Sequence, residues 1–172
     1  RQADQPNIQG AVSQLIQAAI DAGIAEAAID DAIAFVRDKS RPWIDAKVER
    51  ASDDLYVIAD IGRLKLELHA AEALLRKAAQ VLDEVNAAPI DAAAAARASI
   101  AVAEAKVLTT EISLQASEKL LELAGSRATL AEFNLDRHWR NARVHTLHDP
   151  VRWKYHAVGA YYLNGTLPAR HS

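Results

Sequence analysis

Between Ile8 and Val36 the apolar and small residues Val12, Ile16, Ala19, Gly23, Ala27 and Phe35 recur at helical spacing and predict a first long helix. Gly23 would let it pack closely or bend slightly. From Lys39 to Asp53 the periodicity stops around Arg41-Pro42-Trp43, because proline lacks an amide and disfavours helix at the residue before it. Ser52 or Asp53 would then cap the next helix. In that helix Val57, Leu64, Ala71, Ala78 and Val85 repeat every seven residues, interleaved with Ile61, Leu68, Leu75 and Leu82. Such an a/d seam demands burial against other long helices, so a bundle follows.

Asn86 to Ile90, with Pro89, is a connector, and Asp91 stands where a cap belongs. From Asp91 to Ala124 one face carries Ile100, Ala103, Val107, Thr110, Leu114, Ser117, Leu121 and Ala124, and Gly125 is a natural helix stop. Thr129 and Glu132 form a Thr-x-x-Glu capping box that would start a fourth helix running through Arg143. Asp149-Pro150 reads as cap and first helical residue of a short fifth helix ending near Leu163. The expected architecture is all-α, an up-down bundle of four long helices plus a short C-terminal one.

Composition supports this reading. Of 172 residues 51% are hydrophobic, enough for one compact domain, and 37 are alanine, the strongest helix former. The alanine run 92–96 belongs to a helix, since alanine loses little side-chain entropy on entering one. Cysteine is absent, which removes disulfides, thiolate catalysis and thiolate-bound metal. The net charge of −3 offers no global basic field for nucleic acid or an anionic membrane. No apolar run approaches the roughly 18 residues of a membrane span, and Arg1 to Gly10 hold no signal core, so a cytoplasmic protein is expected. Methionine is also absent and the chain starts at Arg1, which suggests a piece of a longer protein.

Charge is unevenly placed. Residues 131–172 hold six Lys or Arg against three acids, a local +3, with five of the six histidines and two of the three tryptophans. Candidate chemistry therefore concentrates near this end. Gly125-Ser126-Arg127-Ala128-Thr129 sets a glycine turn, two hydroxyls and a guanidinium at a helix start, which suits phosphate and equally describes an ordinary helix–helix turn with a solvated arginine. Arg41 before Pro42 presents a guanidinium from a stiff loop, or forms a surface ion pair.

Asp136-Arg137-His138-Trp139-Arg140-Asn141-Ala142-Arg143 mixes basic and aromatic residues. On a helix Asp136 would offset Arg140 and Arg143, so arginines bridging helices or subunits fit better than RNA binding. His145-Thr146-Leu147-His148-Asp149-Pro150 is the most suggestive cluster. Its two histidines and aspartate straddle a helix boundary instead of lying at i, i+4 on one helix, so metal is not expected. His148, before a Pro-stiffened turn, either closes that turn or serves a ligand as hydrogen-bond or acid/base group.

The run Leu121-Glu122-Leu123-Ala124-Gly125-Ser126-Arg127, then Asp136 to Val151, with Arg41-Pro42-Trp43 and Leu163-Asn164-Gly165, resembles the C-terminal helical domain of the acyl-CoA dehydrogenase superfamily. It is most similar to the flavin-dependent monooxygenase branch of dibenzothiophene and sulfur-acquisition enzymes. The resemblance covers essentially the whole chain. It implies an N-terminal helical domain and a middle β domain elsewhere in the parent chain, with residues 1–172 as the single C-terminal bundle, and a homotetramer with flavin between domains and subunits. It implies that Arg41 and the turn of Gly125, Ser126, Arg127 and Thr129 approach a flavin phosphate, often a neighbouring subunit's. His148 is implied to face the reactive side of the flavin ring as the catalytic group, with reduced FMN supplied by a separate flavin reductase.

Many dehydrogenases of the superfamily carry a catalytic glutamate in a Glu-Gly-Thr run, where this chain has Asp149-Pro150. That departure favours a reduced-flavin-dependent monooxygenase acting on a small organosulfur or apolar substrate. The alternatives are the C-terminal domain of an FAD-dependent acyl-CoA dehydrogenase, and a helical oligomerisation module without activity of its own.

Overall fold

The computed structural model describes residues 5–169, so the chain start at Arg1 and the terminal Arg170 and His171 lie outside the described residues. Five α-helices follow in order: α1 Gln9–Asp38, α2 Leu55–Asn86, α3 Ala92–Ala124, α4 Asp136–Thr146 and α5 Arg152–Asn164. Among the described residues there is no strand, in keeping with the all-α expectation.

Asp54 caps α2, accepting hydrogen bonds from the amides of Tyr56 and Val57 at 2.8 and 3.5 Å. The cap thus falls one residue beyond Asp53, whose carboxylate is taken by Arg50 at 2.9 Å. Asp91 caps α3 as expected, accepting from the Ala94 amide at 2.7 Å. The Thr129–Glu132 capping box does not form. Thr129 ends a short 3-10 turn, Ser126–Thr129, and its hydroxyl donates back to the Ser126 carbonyl at 2.7 Å. Asn134 adopts φ 47°, a left-handed conformation that interrupts any helix there, and α4 starts at Asp136. Asp149 does not cap α5 either, since the helix starts at Arg152 and its first amides bond back to Pro150 and Val151 carbonyls.

Cross-links fix the directions. Ser40 at the end of α1 donates to the Ala124 carbonyl at the end of α3, at 3.1 Å, so α1 and α3 run parallel. Asp31 on α1 meets His138 and Asp21 meets His145, so α4 runs antiparallel to α1. Tyr155 hydrogen-bonds Glu111 and Tyr162 hydrogen-bonds Glu104, so α5 runs antiparallel to α3, in the same sense as α4. Helices α4 and α5 are therefore one column of the bundle, broken at Leu147–Val151 by a connector that contains His148.

The predicted seam of α2 is buried at Leu64, Leu68, Ala71, Ala78, Leu82 and Val85, with Val57, Ile61 and Leu75 half-buried. Each fully buried leucine contributes roughly 1.5–3 kcal/mol. The predicted face of α3 is likewise inside, and α3 is central enough to bury Lys106 as well. For α1 the structure corrects the expected face. Ala18, Ala22, Ala25, Ile29, Ala32 and Val36 point inward with Phe35, the one buried residue of the expected face, whereas Val12 and Ile16 are 41% and 58% exposed and Ala19 and Ala27 are exposed too. Gly23 is exposed with no neighbour near it, so it serves no close packing. Small residues let α1 lie close against α3, and they win the interior over the larger aliphatic stripe.

Candidate functional site

Because α1 and α3 end together, the loops that follow them meet. Lys39, Ser40 and Arg41 face Ala124, Gly125, Ser126 and Arg127 across a cleft of about 470 Å³. Gly125, at φ 81°, takes a left-handed conformation that turns the chain from α3 into the cleft wall, where any side chain would be strained. Lys39 and Arg127 both lie over the ring of Phe133, 4.5 and 5.8 Å from its centre, and Phe133 in turn packs edge-on against Phe35 at 5.0 Å. None of the ion pairs among the described residues involves Lys39, Arg41 or Arg127. Three cations thus converge without a carboxylate, an arrangement suited to a phosphate or another compact anion. The surface ion pair considered for Arg41 is not made. Of the residues singled out for phosphate, Arg41, Gly125, Ser126 and Arg127 share this cleft, while Thr129 lies outside its wall with its hydroxyl turned back on Ser126. Lys39 was missed, although its place two residues before Arg41 was a legible signal.

The histidine cluster lies elsewhere. His145 Nδ1 is 2.6 Å from Oδ1 of Asp21, at mid-height of α1. From Asp21 to Lys39 is 18 residues of continuous helix and its cap, about 27 Å at 1.5 Å per residue, so His148 and the basic cleft occupy separate levels. His148 is exposed on the connector, and its backbone amide donates to the His145 carbonyl at 3.3 Å. Asp149, expected to cap, instead faces the buried ammonium of Lys154 at 3.0 Å, off the line of a directed hydrogen bond. Beside it Asp149, Pro150, Trp153, Lys154, His156 and Ala157 line part of a hollow of about 600 Å³. Among the described residues no group of three side chains is placed to hold a metal ion, and no helix is long and apolar enough to cross a membrane.

Part of the basic segment of α4 ties it to α1, and part pairs within the helix. Arg137 and His138 reach Oδ2 of Asp31 at 2.6 and 2.7 Å, and Arg140 pairs with Asp136 at 3.0 Å. Burial pushes the Asp31 carboxyl upward, but the hydrogen bonds from His138 and Arg137 and their charges outweigh it, holding the group below its ordinary value of 3.8. A carboxyl depressed on folding stabilises above its unfolded value and loses that contribution as pH falls through the folded one. Asp31→Asn should accordingly flatten the acid limb of the stability curve below about pH 4, by under about 1 kcal/mol because the carboxylate is over a third exposed, as read by thermal melts across pH.

Residues 15–153 match the acyl-CoA dehydrogenase C-terminal domain family, and the chain belongs to that family. Among curated relatives, dibenzothiophene monooxygenase from Rhodococcus erythropolis is 34% identical over 169 residues, covering 97% of this chain and 40% of the relative. A probable FMNH2-dependent monooxygenase from Pseudomonas putida is 36% identical over 160 residues, covering 92% and 40%. The crystal structure of TdsC from Paenibacillus with FMN and indole superposes with a TM-score of 0.89 at 36% identity, covering 94% of this chain and 42% of that one. The chain spans about 40% of the length of the curated relatives it matches.

Proposed function

We propose that this chain is the C-terminal, flavin-contacting and oligomerising domain of a three-domain monooxygenase that uses reduced FMN. The observation that carries this is the convergence of Lys39, Arg41 and Arg127 on one cleft whose lining holds no acid, none of the three being in an ion pair among the described residues. Their donors fit a flavin phosphate: two guanidiniums for paired hydrogen bonds, one ammonium, and the Ser126 hydroxyl. The relatives' dependence on FMN points the same way.

When bound, reduced flavin supplies the electrons that activate oxygen for transfer to a substrate. The cleft would hold the phosphate end, and His148 would meet a flavin ring with a side chain that accepts or donates one proton. Along α1 about 27 Å separate Asp21, which holds His145 three residues before His148, from Lys39 in the cleft, a long span for one small cofactor, so we assign the cleft and His148 of one chain to different flavins in a homotetramer. The exposed stripe of Val12, Ile16 and Ile20 suits burial between subunits. A separate flavin reductase in the cytoplasm would deliver FMN in its reduced form, and a small organosulfur or apolar compound would be the substrate. FAD in place of FMN, in an acyl-CoA dehydrogenase, is less well supported, because the Asp149 carboxylate that would have to act as base is engaged by Lys154.

Titration of the full-length protein with FMN and with riboflavin, which lacks the phosphate, tests the cleft. Arg127→Ala should weaken FMN about tenfold, the loss of one charge-assisted hydrogen bond, and leave riboflavin unchanged. Equal losses for both would remove the phosphate assignment.

A further inference from the structure

The interior of the bundle is divided. One apolar cluster gathers around Ile29, Leu64, Leu68, Ile112 and Leu120, a second around Leu82, Val85, Ala98 and Val102, and between their levels sits a polar layer. Asp21, with no exposed surface, accepts from Lys106 Nζ at 2.5 Å and from Thr110 Oγ1 at 3.1 Å through Oδ2, while its Oδ1 faces His145 Nδ1. A carboxylate only accepts, so Nδ1 carries the hydrogen and the imidazole ring is held by that bond. Isolated buried charges are costly, and replacing a buried ion pair with apolar residues of similar volume is often neutral or stabilising, so a layer of this kind is poorly explained by stability alone.

Its position supplies one. The layer stands at the break in the α4–α5 column, and His145 is the last-turn residue of α4, three before His148. On the other side of the break, Asp149 follows His148 directly and meets buried Lys154 in the first turn of α5. Tyr155 bonded to Glu111 puts Lys154 at about the level of Thr110, so both ion pairs grip the connector at the height of the polar layer. The His148 side chain has no hydrogen-bond partner among the described residues; only the backbone and these two clamps fix its place.

We infer that the Asp21–Lys106–Thr110 layer positions His148 by anchoring His145 through its Nδ1–H, with Lys154–Asp149 as the second clamp. Asp21, Lys106 and His145 are positioning residues that act through the connector backbone. The effect on catalysis rests on the reading of His148 given above, whereas the clamp itself does not.

Two pairs of variants in the full-length protein separate the possibilities. D21N/K106M removes both buried charges but keeps a side-chain oxygen for His145, and D21L/K106M removes the acceptor as well. His145→Asn keeps a donor near Nδ1, and His145→Leu keeps none. Hydrogen–deuterium exchange over residues 146–152, which needs no flavin, should rise about tenfold in D21L/K106M and H145L and stay near wild type in D21N/K106M and H145N. The ratio of oxygenated product to hydrogen peroxide should fall with the same two variants and recover with the conservative ones, with KM for substrate little changed. Unchanged exchange in both D21L/K106M and H145L overturns the clamp, as does H145N exchanging as fast as H145L. Raised exchange with no loss of coupling leaves the clamp standing and counts against the role of His148. If the leucine variants fail to fold, D21N/K106M and H145N carry the test: exchange near wild type in both is expected, and a tenfold rise in H145N overturns the anchor.

Discussion

Lys106→Met alone should cost about 3–5 kcal/mol, because it leaves the fully buried Asp21 carboxylate without its ammonium. Methionine matches the volume of the lysine stem, so the loss measures an uncompensated charge and not a cavity. The companion Asp21→Asn, Lys106→Met double substitution removes charge from both sides and should recover most of that loss, since a neutral pair carries little desolvation cost. Denaturant unfolding with an unchanged m-value would read both effects as stability alone. Equal destabilisation by the single and double variants would mean that Lys106 contributes by packing, and that the ion pair has no special weight in the fold.

His148→Ala in the full-length protein should lower oxygenation by about 10²–10⁴-fold, the range that a positioned proton-transfer group contributes. FMN affinity should change little, because the charge-assisted contacts to the phosphate come from a basic cleft and not from His148. Stability should also hold, since the side chain is exposed and only its backbone amide is bonded within the connector. Single-turnover reaction of the reduced protein with oxygen and substrate separates these quantities. Full retention of product formation would end the assignment of His148, while leaving Arg41 and Arg127 to be judged by the riboflavin comparison.

The contrast between these two sites shows how far a linear reading reaches. Gly125 and Arg127 are close in sequence, and the turn that joins them was legible because a glycine stop after an apolar helical face has a local cause. That Arg41 joins them was not legible from spacing, because it depends on α1 and α3 ending at one level, a fact recorded by the Ser40–Ala124 hydrogen bond. Local signals also misled where tertiary contacts outbid them. Thr129 and Glu132 have the pattern of a capping box, yet the chain turns through Asn134 and Thr129 closes its own 3-10 turn. Asp149-Pro150 has the pattern of a cap, yet buried Lys154 takes the carboxylate.

By itself the sequence determined the helical class, the buried seam from Leu64 to Val85, the Asp91 cap and the Gly125 stop, since each rests on spacing or on backbone chemistry within a few residues. Only the tertiary structure decided which face of α1 turns inward, because an alanine-rich stripe and the larger aliphatic stripe of Val12, Ile16 and Ile20 compete for the same periodicity and close approach to α3 selects the smaller. It alone brought Asp21, Lys106 and His145 together, residues 85 and 124 positions from Asp21 along the chain. Charges so far apart in sequence leave no local pattern, and what joins them is the parallel packing of α1 on α3 with the broken α4–α5 column laid antiparallel against both.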